Sequence, residues 1–178
     1  MGAFHDHLRI FDAGNAERYA ASLFHECFGA SFPVPRVNAG LSIPTPPENW
    51  RQYVALYGWP DGTEETVGFC NWIKYGDVYL EGGMCVRRTF YRRMPKEHFR
   101  ECNAAGGIAQ LMMEQAAREL TDCTAWFGYC GDAKAMAVDL RVGYVPTTHK
   151  YLIVKWFRDL PEGERLALID QVARIGPF

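Results

Sequence analysis

The sequence has no run of apolar residues long enough to cross a bilayer, which argues against a membrane span. Its first residues, Met1-Gly2-Ala3-Phe4-His5-Asp6-His7, lack the basic start and apolar stretch of a secretory leader. Neither sign of charge dominates: the formal net charge is −2, with acids and bases spread along the chain. That balance argues against a partner bound by neutralising phosphates, so no nucleic acid is expected. No internal repeat and no low-complexity tract is present. None of the six cysteines (27, 70, 85, 102, 123 and 130) forms a Cys-x-x-Cys pair. Paired thiolate ligands are therefore missing, His25-x-Cys27 is too little for a metal site, and none is expected. The reading is of a cytoplasmic protein whose thiols serve as small buried hydrophobes.

What is present suits one globular domain over 1–178, because 178 residues with 48% hydrophobic side chains can bury a core unaided. Leu8 to Phe11 reads as a first strand. A helix follows to about Phe28, capped by Asp12 or Asn15, with Tyr19, Leu23 and Ala20 or Phe24 at helical spacing. Five prolines between Ser31 and Pro47 remove backbone donors and predict an extended surface loop. Gln52–Tyr57, Thr66–Tyr75 and Val78–Val86 read as three strands, joined by turns at Trp59–Thr63 and Gly76-Asp77. Short turns between them imply an antiparallel meander. A helical stretch is expected from about Lys96 to Leu120. Then come a strand at Thr124–Tyr129, a short helix at Asp132–Arg141 stopped by Gly143, and a strand at Tyr151–Trp156. A last helix opens at Pro161 and runs over about 161–175. The order β-α-loop-β-β-β-α-β-α-β-α predicts an α/β (α+β) fold, with a mixed, mostly antiparallel sheet flanked by helices.

Gly82-Gly83 interrupts an otherwise good strand, and a bulge or a close ligand is the usual reason. Together with Thr66-Val67-Gly68-Phe69, Leu80-Glu81-Gly82-Gly83-Met84-Cys85-Val86, Gly107-Ile108-Ala109 and Asp132…Ala135…Gly143-Tyr144, this order resembles the GNAT (N-acetyltransferase) superfamily. The match covers roughly Leu8 to Trp156. The resemblance implies acetyl-CoA as co-substrate and a small-molecule or peptide amine as acceptor, with no membrane partner and a homodimer left open. It implies that a bulge at the glycines splays the strands, and that Met84, Cys85 and Val86 offer the exposed edge to pantetheine. Gly106, Gly107, Ile108 and Ala109 would cradle the pyrophosphate at a helix N-terminus, where unpaired N–H groups attract anions.

Two departures from the family pattern bear on that cradle. Ala104 stands where glutamine or arginine is usual. The stretch from Val86 to Gly107 is about twice the usual length, and one helix running unbroken through Gly106-Gly107 would remove the free N–H groups. Arg92, Arg93, Lys96 or Arg100 would then meet the phosphates by charge.

Acetyl transfer needs a base for the amine, donors for the oxyanion and an acid for the departing thiolate. Glu81 is the expected base. The family's usual acid is a tyrosine at the position that here holds Asp139, and an ionised aspartate cannot donate. Tyr129, or else Tyr144, is the expected substitute. Asp132 likewise replaces the family's asparagine. Two further readings stand beside this one: Cys130 as a nucleophile paired with His149, and a non-catalytic binding module that keeps only the cleft.

Overall fold

The structure, a computed structural model, describes residues 3–32, 36–37, 43–44 and 46–178. The chain runs α1 (Phe4–His7), β1 (Leu8–Asp12), α2 (Glu17–Phe28), β2 (Arg36–Val37), β3 (Ile43–Pro44), a 3₁₀ turn (Pro47–Asn49), β4 (Trp50–Gly58), β5 (Glu64–Tyr75) and β6 (Val78–Val86). It continues with α3 (Phe90–Arg93), α4 (Lys96–Ala104), α5 (Gly107–Glu119), β7 (Ala125–Tyr129), α6 (Ala133–Arg141), β8 (Val145–Pro146), β9 (Leu152–Trp156) and α7 (Glu162–Ala173). Seven strands form one sheet in the order β1-β4-β5-β6-β7-β9-β8. Among the described residues, only β6 and β7 pair in parallel. A parallel pair cannot be joined by a tight turn, so the chain crosses over through α3, α4 and α5. The mixed, mostly antiparallel sheet read from the sequence is the one observed. No helix among the described residues is long and apolar enough to cross a membrane.

Alternation along the strands divides the core between the two faces. On one face Tyr53, Trp72, Tyr79 and Trp126 meet Ile108, Met112, Met113 and Ala116 of α5. Trp72 and Trp126 are fully buried, their rings 5.1 Å apart. Each side chain of that size contributes roughly 3 kcal/mol by leaving water. On the other face Val54, Leu56 and Phe69 pack under α2, while Leu80, Phe127 and Val154 pack under α7. Helix α2 stops where Gly29 takes a left-handed conformation and its N–H bonds to the His25 carbonyl.

Helix α5 lies unusually close to β5. A Cβ placed on Gly68 would come within 2.8 Å of both Ile108 Cγ2 and Met112 Sδ. Gly68→Val is therefore expected to lower stability by about 1–3 kcal/mol, the usual cost of overpacking. Urea unfolding measures this, and an unchanged midpoint would show that the helix yields freely.

Several boundaries differ from the sequence reading. The helix expected over Lys96–Leu120 is two helices, because Gly106 and Gly107 both take positive φ, +85° and +89°. Such values break the helical ladder, and glycine adopts them without steric cost. Residue 16, not Asp12 or Asn15, occupies the cap position of α2; Asn15 Oδ1 instead accepts from Glu17 N–H at 3.0 Å. Asp12 Oδ1 accepts from the N–H groups of Gly14 and Gln52. The short elements α1, α3 and β8 carry too few residues to show a period. Much of the proline-rich stretch, including Pro33 and Pro35, lies outside the described residues. Its described parts, β2 and β3, pair antiparallel with each other.

Candidate active site

The double glycine forms a bulge. Cys70 faces Met84 and Trp72 faces Glu81, so Asn71 alone opposes both Gly82 and Gly83. Gly83 has φ +119°, a conformation side chains rarely adopt. A Cβ on Gly82 would meet Asn71 Nδ2 at 2.6 Å. The bulge bends β6 away from its other neighbour. The β6/β7 ladder stops at Glu81 opposite Gly128, although β7 stays paired with β9 as far as Tyr129. From Gly82 to Val86 the edge of β6 that faces β7 is thus left without a strand partner among the described residues. Met84, Cys85 and Val86 all lie on it.

A cavity of about 110 Å³ occupies the fork, lined by Glu81, Gly83, Gly128, Tyr129, Cys130 and Asp139 among others. Glu81 points into it from β6, and its Oε2 accepts a 2.8 Å hydrogen bond from the Tyr144 hydroxyl. Asp139 enters from α6 and is 3% exposed. Its Oδ1 has no hydrogen-bond partner. Burial, then the neighbouring Asp139 carboxyl, push Glu81 up to about 8, while the Tyr144 hydrogen bond opposes the rise. Burial also raises Asp139, against a lowering contact from the Cys130 thiol. The Tyr144 phenol is raised well above its ordinary range, by burial first and then by Glu81.

Tyr129 lines the same cavity, but its ring packs edge-on against Phe178, 5.3 Å away, within the cluster under α7. The phenol that meets Glu81 is Tyr144, which the sequence offered only as an alternative. Cys130 and His149 are not brought together as a nucleophile and base. His149 Nε2 lies 2.8 Å from Asp170 Oδ1, and the Cys130 thiol contacts the Asp132 carbonyl at 3.5 Å. Burial, with Asp139 beside it, pushes that thiol up to about 12, which leaves almost no thiolate.

The second part of the site is the start of α5. The break at Gly106-Gly107 gives the helix a true N-terminus, with Ile108 and Ala109 in its first turn. This turn stands beside the open edge of β6, because Gly68 touches Ile108 and also pairs with Val86. The Tyr91 hydroxyl already accepts the Ile108 N–H at 3.1 Å. Arg92, Lys96 and Arg100 line a neighbouring hollow of about 350 Å³ with Tyr91 and Phe99. Arg93 does not join them: it pairs with Glu65 at 2.9 Å and stacks over Trp59. On the opposite face of the sheet, Glu26, Cys27, Met84, Cys85, Val86 and Arg88 line a hollow of about 330 Å³ between α2 and β6. The unpaired edge thus has open space on both faces.

Two contributors have no local signature in the sequence. Asp139 reads there as an obstacle to chemistry, and only the cavity shows that it neighbours Glu81. Asn71 ends a buried relay: Ala16 N–H donates to Gln52 Oε1 at 2.7 Å, and Gln52 Nε2 donates to Asn71 Oδ1 at 3.3 Å. Because a backbone N–H can only donate, the relay turns Asn71 Nδ2 toward the bulge.

No family model and no curated protein sequence matches the chain. Solved structures do resemble it. One is YhhK from E. coli, assigned as an N-acetyltransferase and solved in solution bound to coenzyme A; it is 16% identical, with 84% of this chain and 98% of that chain covered and a TM-score of 0.52. Another is the ribosomal-protein-S18-alanine N-acetyltransferase of Escherichia coli, 12% identical, with 87% and 97% covered and a TM-score of 0.49. The first likeness, with the strand order of the sheet, shows that this chain has the GNAT acyl-CoA N-acyltransferase fold.

Proposed function

We propose that the chain is an acetyl-CoA-dependent N-acetyltransferase acting on a primary amine of a small molecule or peptide. The observation that carries this reading is the fork between β6 and β7, which opens at Glu81/Gly128 with a carboxyl at its floor. An extended pantetheine arm fits such an opening, because the unpaired edge of β6 supplies backbone groups as a missing strand would. The complex of YhhK with coenzyme A supports the same choice of ligand. The phosphates would sit between the first turn of α5 and Arg92, Lys96 and Arg100, since Tyr91 lines the hollow of these cations and also touches the Ile108 N–H. The amine nitrogen attacks the thioester carbonyl carbon. A C–N bond forms, the C–S bond breaks, and Glu81 accepts the proton that the nitrogen loses. Because Glu81 is raised to about 8, the ionised base accumulates as pH rises toward that value, and the rate should rise with it. The free state of all six cysteines supports a cytoplasmic setting.

Calorimetric titration with acetyl-CoA, followed by an amine panel scored for released thiol, tests the proposal. Saturable binding and amine-dependent thiol release are expected. No heat and no thermal shift at millimolar acetyl-CoA would remove the reading. Replacing Arg92, Lys96 and Arg100 together by alanine is expected to weaken acetyl-CoA binding at least tenfold, and to leave a shallower salt dependence. Equal affinity in that variant would move the phosphates elsewhere. One observation favours a second reading, a binding module without turnover: the Tyr91 hydroxyl occupies an N–H group that a phosphate would use. Binding without thiol release from any amine is the result that reading expects.

A further inference from the structure

We infer that Asp139 is the acid of this site, delivering the proton that the departing thiolate needs. The inference rests on the acetyl-transfer reading and names a role that the family resemblance gives to a tyrosine.

Asp132 fixes where α6 begins: its Oδ1 accepts from the N–H groups of Lys134 and Ala135, both at 2.9 Å. From that start the helix turns Ala135 and Asp139, one turn apart, toward the cavity. The frame is closed behind them. Tyr144 N–H donates to the Asp139 carbonyl at 3.0 Å, and the Tyr144 hydroxyl holds Glu81. The Asp139 side chain is 97% buried, lines the cavity and has one oxygen without a partner. An ionised carboxylate with an unsatisfied oxygen in such a place is costly.

Among the described residues, the surroundings supply no compensating cation. Glu81 faces Asp139 from β6, Tyr144 from the turn after α6, Cys130 from the end of β7, and Cys70 from β5. Lys155 of β9 directs its ammonium to the Val142 carbonyl at 2.5 Å. No ion pair reaches either carboxyl among the described residues. Two carboxyls in one small cavity without a cation hold a proton between them. One arrangement of that proton leaves Glu81 ionised and Asp139 neutral, which is a base and an acid together. An ionised aspartate cannot donate a proton, but a neutral Asp139 in this cavity can.

The step balances. The nitrogen bonds to the carbonyl carbon and loses a proton to Glu81. The C–S electron pair moves to sulfur and takes the proton from Asp139. Transfer of a proton from Glu81 to Asp139 restores the pair, and the products are the amide and the free thiol of coenzyme A.

The test compares two acetyl donors. Acetyl-CoA leaves as an alkyl thiolate that needs protonation. The acetyl thioester of a nitrothiophenol leaves as an anion stable at the assay pH. Asp139→Asn is expected to reduce kcat/KM about ten- to a hundredfold with acetyl-CoA and less than about threefold with the aryl donor. Asp139→Glu should recover part of the loss. Infrared difference spectra should show protonated-carboxyl absorption at neutral pH that persists in Glu81→Gln, where Asp139 alone of the pair remains to carry it. An equal loss with both donors, or no loss with either, overturns the assignment. Wild-type protein that turns over neither donor overturns it together with the acetyl-transfer reading. Wild-type turnover with an indifferent Asp139→Asn overturns the acid alone.

Discussion

Glu81→Gln is expected to slow acetyl transfer by about 10²–10⁴-fold and, at the same pH, to make the protein more stable. The two effects share one cause. Burial and the neighbouring Asp139 hold the folded-state carboxyl at about 8, against an ordinary value of 4.5. Between those values the native state binds more protons at this site than the unfolded chain does. Stability contributed by the site is therefore present below pH 4.5 and is lost as pH rises toward about 8. Glutamine removes the ionisation and still accepts the Tyr144 hydrogen bond. The stability difference between variant and wild type should thus grow across that window and level off above it. Urea midpoints at a series of pH values measure it. Parallel curves for the two proteins would mean that Glu81 stays ionised in the fold. Kinetics supply the second half: the wild-type rate should rise toward pH 8 and the variant should lose that limb. An unchanged profile would take Glu81 out of the chemistry.

Gly83→Val should separate the fold from the fork. The backbone at Gly83 sits at φ +119°, which a β-branched residue does not tolerate. Holding valine there is expected to cost about 1–3 kcal/mol. Relief comes by straightening β6, which would carry its edge back toward β7 beyond Glu81/Gly128 and close the opening. Acetyl-CoA affinity, measured below the variant's own melting temperature, is therefore expected to fall by at least an order of magnitude. Gly82→Ala is the control. Its new methyl meets the Asn71 amide at 2.6 Å and displaces that side chain at the cost of its Gln52 hydrogen bond, while the Gly83 backbone keeps its conformation. A Gly83→Val protein that is less stable yet binds acetyl-CoA as the wild type does would detach the bulge from ligand binding.

The meander, the double-glycine bulge and the glycine start of α5 were legible in the sequence, because each rests on residues adjacent in the chain. Proline spacing, turn residues and period-two alternation act locally, so local text records them. Whether one helix or two runs through Gly106-Gly107 stays open in the sequence. Apolar periodicity on both sides of the glycines runs through, and only their positive φ interrupts it. Arg93 illustrates the opposite limit. By sequence it belongs with Arg92, Lys96 and Arg100, but Glu65 on β5 claims it.

By itself, the sequence determined the order of the longer strands and helices and the place where regular pairing of β6 is interrupted. These follow from side-chain pattern and from what glycine and proline permit the backbone. Only the tertiary structure decided the state of the acids. Glu81 on β6, Asp139 on α6 and Tyr144 beyond it are remote in the chain and meet in one cavity. Whether a carboxyl is a base, an acid or a solvated charge depends on the dielectric and the partners around it. Those are properties of packing, which no stretch of sequence holds alone.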